Sequence, residues 1–173
     1  RTVLSIEEGD LSRLLPRLRV GELDLIVGRL EPGYAAPDLV TEALYDEAMV
    51  VVVSPSHALA GRRRVDWADV AALPWVVPPA WASSRVKLAQ LFHRHGLQPP
   101  ADVIESASFL VTLTFLKQRG CEAFVAGDVA RWMAAEGLAC ALPLAVPMDL
   151  PPVGLIRLRS ALQVPAVGRL LDH

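Results

Sequence analysis

Thr2-Val3-Leu4-Ser5-Ile6-Glu7-Glu8, broken by Gly9-Asp10, and then Leu23-Asp24-Leu25-Ile26-Val27-Gly28-Arg29 are two strand-like runs at either end of one amphipathic segment. Gly21 punctuates that segment, so residues 1–29 read as strand, helix, strand. Such a unit sets backbone N–H groups and one guanidinium, that of Arg29, at the edge of a sheet, where open α/β folds hold ligands. The opening reads as half of a small-molecule cleft.

The same grammar continues. Ala48-Met49-Val50-Val51-Val52-Val53 is apolar without alternation, which predicts a strand covered on both faces, as in a parallel sheet. Trp75-Val76-Val77, Val103-Ile104-Glu105 and Ala123-Phe124-Val125 each precede a polar or glycine cap and then a helical stretch. The first of these helices runs from Ser83-Ser84 to about Gly96, with Val86, Leu88, Leu91 and Phe92 as its apolar stripe. The second runs from Phe109 to Arg119 after Ser106-Ala107-Ser108, and the third opens at Gly127-Asp128 and holds Val129, Trp132 and Met133. Strand, cap and helix recur, which predicts right-handed crossovers and a mostly parallel sheet. Val65–Leu73 reads as a short helix stopped by Pro74, Leu39–Leu44 and Leu138–Leu142 as strands, and Val153–Arg159 as a half-covered strand. A last amphipathic helix is expected over Val164–Leu171. The chain leaves its first lobe near residue 46 and returns through the proline-rich stretch that starts at Pro143, which predicts two hinged lobes, 1–46 with 143–173, and 47–142.

Composition narrows the chemistry. The 173 residues carry a formal charge of −2, and the tight basic run is Arg62-Arg63-Arg64, so the broad positive face of a phosphate-tracking surface is missing. Cys121 and Cys140 sit in apolar contexts that suit buried reduced thiols, and hence a reducing cytoplasm. No secretion leader is expected, and no apolar run is long enough to span a bilayer. His93 and His95 are two apart, which on a helix turns them to different faces, so a metal site is not expected. No Gly-x-Ser-x-Gly elbow is present, and Gly28 and Gly33 lack the spacing of a dinucleotide fingerprint, so neither an enzyme nor a cofactor is expected.

With these segments in place, a family is recognisable. Glu8-Gly9-Asp10 followed by Leu18–Gly28, the run Val50-Val51-Val52-Val53-Ser54-Pro55-Ser56-His57-Ala58-Leu59-Ala60, and Leu73-Pro74-Trp75-Val76-Val77-Pro78-Pro79 together resemble the effector-binding domain of LysR-type transcriptional regulators. The resemblance runs over essentially the whole chain. Pro78-Pro79 and Arg85 are similar to regulators of sugar or aromatic-acid catabolism. It implies a periplasmic-binding-protein type II fold, and a cytoplasmic homodimer or tetramer that changes its promoter contacts when a small effector enters the cleft. DNA would be touched only through an N-terminal helix-turn-helix that lies outside this chain. The family domain also begins with one more strand and helix than Arg1 allows, so the first lobe is expected to lack them.

The resemblance implies effector contacts at Asp10, Val27, Arg29, Ala82, Ser83, Ser84, Ser106, Ser108 and Phe109. Each has a plainer reading beside it. Arg29 at a strand end holds a carboxylate or pairs with Asp10. Ser83, Ser84, Ser106 and Ser108 bind an oxygen-rich ligand or merely cap helices. Phe109 lines the cleft or packs beneath its helix, and Trp81 stacks on a ring or covers a lobe edge. Trp67, Trp75 and Trp132 read as core. Asp10 stands where carboxylate-binding relatives commonly carry Ser or Thr, which favours an uncharged polyol or sugar. A transport-system solute-binding protein outside the cytoplasm is the rival reading on the same fold.

Overall fold

The computed structural model describes residues 3–160. The chain forms two compact units, one taking the chain up to Asp46 and again from Pro151, the other comprising Glu47–Leu150. The return therefore lies at 151 rather than 143. Leu144, Val146, Met148 and Leu150 alternate along the connector and pack on the second unit's core, and Trp67 Nε1 donates to the Ala145 carbonyl at 3.2 Å.

In the first unit, α1 (Leu11–Arg19) lays Leu14, Leu15 and Leu18 on a three-stranded sheet made of β1 (Ile26–Arg29), β2 (Leu39–Tyr45) and β8 (Val153–Leu158). The apolar positions recur every three to four residues, so they share one face, and they meet Ile26, Leu39 and Ile156. The strand order is β1-β8-β2, and β8 is antiparallel to both neighbours. Val153, Gly154, Leu155 and Ile156 are all buried, so β8 is a central strand and not the half-covered one its alternation suggested. The strand expected over Thr2–Glu8 does not form in its described part: residues 3–10 carry no regular structure, and Val3 is 93% exposed. Alternation alone makes no strand. A strand also needs a partner edge and a covered face, and among the described residues this segment has neither.

The second unit holds β3 (Met49–Val53), α2 (Trp67–Ala71), β4 (Trp75–Val77), α3 (Ser83–Arg94), β5 (Val103–Glu105), α4 (Phe109–Arg119), β6 (Glu122–Ala126), α5 (Gly127–Ala135) and β7 (Cys140–Ala141). Its sheet runs β5-β4-β6-β3-β7. Only β4 pairs in parallel, with β5 and β6, whereas β3 is antiparallel to β6 and β7. The expectation of mostly parallel sheets is corrected accordingly. Val51, Val52 and Val53 are fully buried as the unbroken apolar run requires, because helices cover both faces of β3. Burial on two faces follows from layering and does not dictate strand direction. One face carries the cluster of Trp67, Trp75, Leu88, Leu91, Phe92 and Phe124, the other that of Val52, Val76, Leu116, Cys121, Ala123 and Met133. Two further readings change. Val86 is exposed and leaves the stripe of α3 to Leu88, Leu91 and Phe92, and Trp132 is 50% exposed instead of core. The helix expected over 164–171 lies outside the described residues.

Candidate functional site

The chemistry-bearing residues fall into one group in each unit. In the second unit, the parallel strands β5, β4 and β6 each run directly, or through a short loop, into a helix, so α3, α4 and α5 all begin at the carboxyl end of that part of the sheet. The Ser106 N–H donates to the Val77 carbonyl at 3.0 Å, which ties the loop after β5 to the end of β4. Three helix starts at one sheet end make a region rich in backbone donors and partial positive charge.

The two serine pairs differ in what they do. Ser108 is the N-cap of α4, its Oγ accepting from the Val111 N–H at 3.4 Å, while the Ser106 Oγ accepts from the Ser108 N–H at 3.0 Å. These hydroxyls hold the loop as well as facing solvent in part. Ala82 is the N-cap of α3 and has no side chain that can cap, so Ser83 and Ser84 occupy the first helical turn and neither is the cap. Ser84 is buried and Ser83 half-buried. Trp81, immediately before them, is 62% exposed, so it does not cover the core of its own unit. Phe109 at the start of α4 meets Trp132 of α5 edge-on, ring centroids 5.5 Å apart. Sequence reasoning missed Trp132 here. The signal was present, since Gly127-Asp128 is the third of three similar helix openings, but a tryptophan in an apolar stripe was assigned to the core.

In the first unit, Asp10 is the N-cap of α1, accepting from the Arg13 N–H at 3.2 Å and from the Ser12 hydroxyl. The Ser12 hydrogen bond, joined by backbone N–H groups, holds its carboxyl below the usual range, so it is anionic at neutral pH. Arg29 ends β1 and donates from Nη1 to the Pro151 carbonyl at 2.9 Å. That bond helps aim the guanidinium at the end of the strand. Val27, also on β1, is exposed. Ladder pairing with β8 sets these positions, Val27 opposite Leu155 and Arg29 opposite Val153.

Among the described residues, no group of three His, Cys, Asp or Glu side chains is placed to hold a metal ion, and no helix is long and apolar enough to cross a membrane. Cys121 is fully buried, and burial pushes its thiol above the usual range, which disfavours the reactive thiolate. Ellman's reagent should leave Cys121 unmodified in the folded chain and label it only once urea unfolds it, as peptide mapping will report; rapid labelling of the native protein would contradict this burial.

The sequence model of the LysR substrate binding domain matches residues 1–173. The chain is 34% identical over 164 residues to the HTH-type transcriptional regulator GalR of Pseudomonas putida, covering 95% of this chain and 41% of that protein. It thus spans less than half the length of that relative. Among solved structures, HinK, a LysR family transcriptional regulator from Pseudomonas aeruginosa, superposes with a TM-score of 0.74 at 20% identity, over 96% of this chain and 56% of HinK. The Synechocystis PCC6803 CcmR regulatory domain, solved in complex with 2-PG, gives 0.70 at 18% identity, over 92% and 76%.

Proposed function

Because this chain belongs to the family of LysR substrate-binding domains and has their type II periplasmic-binding-protein-like fold, we propose that it is the effector-sensing part of a bacterial transcription regulator, binding a small oxygen-rich metabolite. The convergence of three helix starts at one end of the second unit's sheet is the observation that carries this reading. Backbone N–H groups there, with the hydroxyls of Ser83, Ser106 and Ser108, suit hydroxyl, carbonyl or carboxylate oxygens. Ala82, Ser84 and Phe109 would line the same contact region, with Trp81 beside it. Asp10, Val27 and Arg29 would supply the first unit's contacts. Two solved neighbours, the CcmR regulatory domain in complex with 2-PG and the QuiR effector-binding domain in complex with shikimate, each hold a small molecule, which supports this reading.

An effector switches a regulator only by binding one arrangement more tightly than another. In this reading the chain assembles as a homodimer or homotetramer in the cytoplasm, acts on DNA through a helix-turn-helix elsewhere in the full protein, and needs no cofactor. The reading assigns it no catalytic duty: among the described residues, Ser106 and Ser108 hold a loop and a helix start, Asp10 caps α1, and Arg29 anchors to the Pro151 carbonyl.

A thermal-shift screen of sugars, aromatic acids and aliphatic acids identifies the effector class. Arg29→Ala should then weaken an anionic hit by roughly tenfold or more, the worth of a charge-assisted hydrogen bond, and leave a neutral sugar nearly unaffected. Equal affinities in both proteins for an anionic effector would remove Arg29 from the site.

A further inference from the structure

Glu122 opens β6 with its side chain fully buried, and among the described residues neither carboxylate oxygen has a hydrogen-bond partner. It sits opposite Trp75 in register. Alternation along β6 puts it on the face of Phe124, the side of the aromatic cluster. Because β3 runs antiparallel to β6, with Val52 opposite Ala123, the turn leaving β3 comes down beside Glu122. That turn brings His57, whose Nε2 lies 3.6 Å from Glu122 Oε1. The pair therefore lies at the opposite end of this sheet from the helix starts.

The imidazole geometry decides what kind of pair this is. His57 Nδ1 accepts the Leu59 N–H at 3.2 Å, so that nitrogen carries no proton and the ring is neutral. The Gly120 backbone favours the protonated ring, but less than burial disfavours it, so the ring's ability to hold a charge is lowered. Glu122 thus faces no cation in its neighbour. The other ionisable groups nearby are the adjacent Cys121 and, near enough to act on that thiol, Arg119 at the end of α4 and Asp102 before β5. A buried carboxylate without a donor is strongly disfavoured, so the carboxyl in this arrangement is protonated.

We propose that His57 and Glu122 form a proton-operated latch: the protonated carboxyl lets the turn 54–60 seat on the start of β6, and loss of that proton to solvent releases it. Once Glu122 is charged, two reliefs exist. His57 takes a proton at Nδ1 and becomes a counter-ion, but then Nδ1 can no longer accept the Leu59 N–H. Alternatively the turn lifts and water reaches the carboxylate. Both free the Leu59 amide, and Leu59 is a buried member of the core cluster that the turn contributes. Burial raises Glu122 to about 7 and lowers His57, so both favour their uncharged forms and the opening falls near neutrality.

The readout is hydrogen exchange of the Leu59 amide, expressed as a protection factor in the full chain, alongside NMR titration of the Glu122 carboxyl. Protection should fall by roughly tenfold or more between about pH 5 and pH 7 and level off as that titration completes, while Val51 to Val53 stay better protected than Leu59 at every pH. Glu122→Gln, which cannot ionise, should hold Leu59 protection flat. Constant protection in the native chain, the same loss in Glu122→Gln, or a carboxyl that titrates in the ordinary range overturns the latch. If the variant does not fold, the native carboxyl titration and Leu59 exchange decide it alone.

Discussion

Stability of the second unit should decline on going from about pH 5 to pH 8, by up to on the order of 3 kcal/mol, and replacing Glu122 by Gln should abolish that decline. Burial raises the Glu122 carboxyl from 4.5 to about 7, so the folded chain binds this proton more tightly than the unfolded chain does. Wherever the native state holds more protons, raising pH destabilises it. The Glu122 contribution is therefore intact below the unfolded value of 4.5 and is lost progressively until pH passes about 7. Each tenfold difference in proton affinity is worth about 1.4 kcal/mol, which sets the magnitude. His57 pulls the other way: its lowered value means that the unfolded chain binds that proton better, so its contribution rises with pH through the histidine range. Three carboxyls with lowered values, those of Glu7, Asp10 and Asp38, affect stability only under more acidic conditions. Urea unfolding at several pH values checks this directly. A native chain that gains stability steadily from pH 5 to 8 would show that Glu122 is not the dominant titrating group.

Gly154→Ala should cost the first unit about 3 kcal/mol, the upper end for forcing atoms into a filled site. Gly154 lies in β8, between Gly28 of β1 and Ala43 of β2. A Cβ there would run into the Glu42 backbone carbonyl oxygen, closer than real Cβ contacts come, and would lie 2.8 Å from Leu30 Cδ1. The leucine can shift but the carbonyl belongs to a paired strand, so the sheet itself must give. The register slip of β2 between Ala43 and Tyr45 falls at the same place, where the two backbones come together. Gly28→Ala is the natural control, since nothing lies within 4 Å of its added Cβ. Its cost should stay under about 1 kcal/mol. Similar losses for the two variants in denaturant unfolding would mean that glycine matters here for chain flexibility and not for close approach. Displacing β8 would also shift Pro151, whose carbonyl orients Arg29, so the variant is expected to weaken any effector contact made by that arginine.

Much of the element order was legible in the residues themselves. Trp75–Val77 and Val103–Glu105 are strands and Phe109 to Arg119 a helix, as read from the residues, because local apolar spacing and capping act within a few residues. Gly120 takes a left-handed φ of 61°, as a helix-ending glycine does. What failed depended on partners. Leu4 and Ile6 alternate correctly yet stay exposed, since period alone does not supply a neighbouring strand. Trp132 sits in an apolar stripe yet is half exposed, since its partner is one ring, Phe109, and not a core.

The sequence by itself settled the family, the α/β class and the positions where helices begin, because turn, cap and periodicity signals are local and additive along the chain. Tertiary structure alone decided the direction of β3 and β8, the point at which the chain rejoins its first unit, the need for glycine at 154, and the isolation of the Glu122 carboxyl. Each of these rests on atoms brought together from distant residues, such as Glu122 against His57 or Gly154 against Glu42. Their energies come from packing and desolvation, which do not exist until the chain has folded.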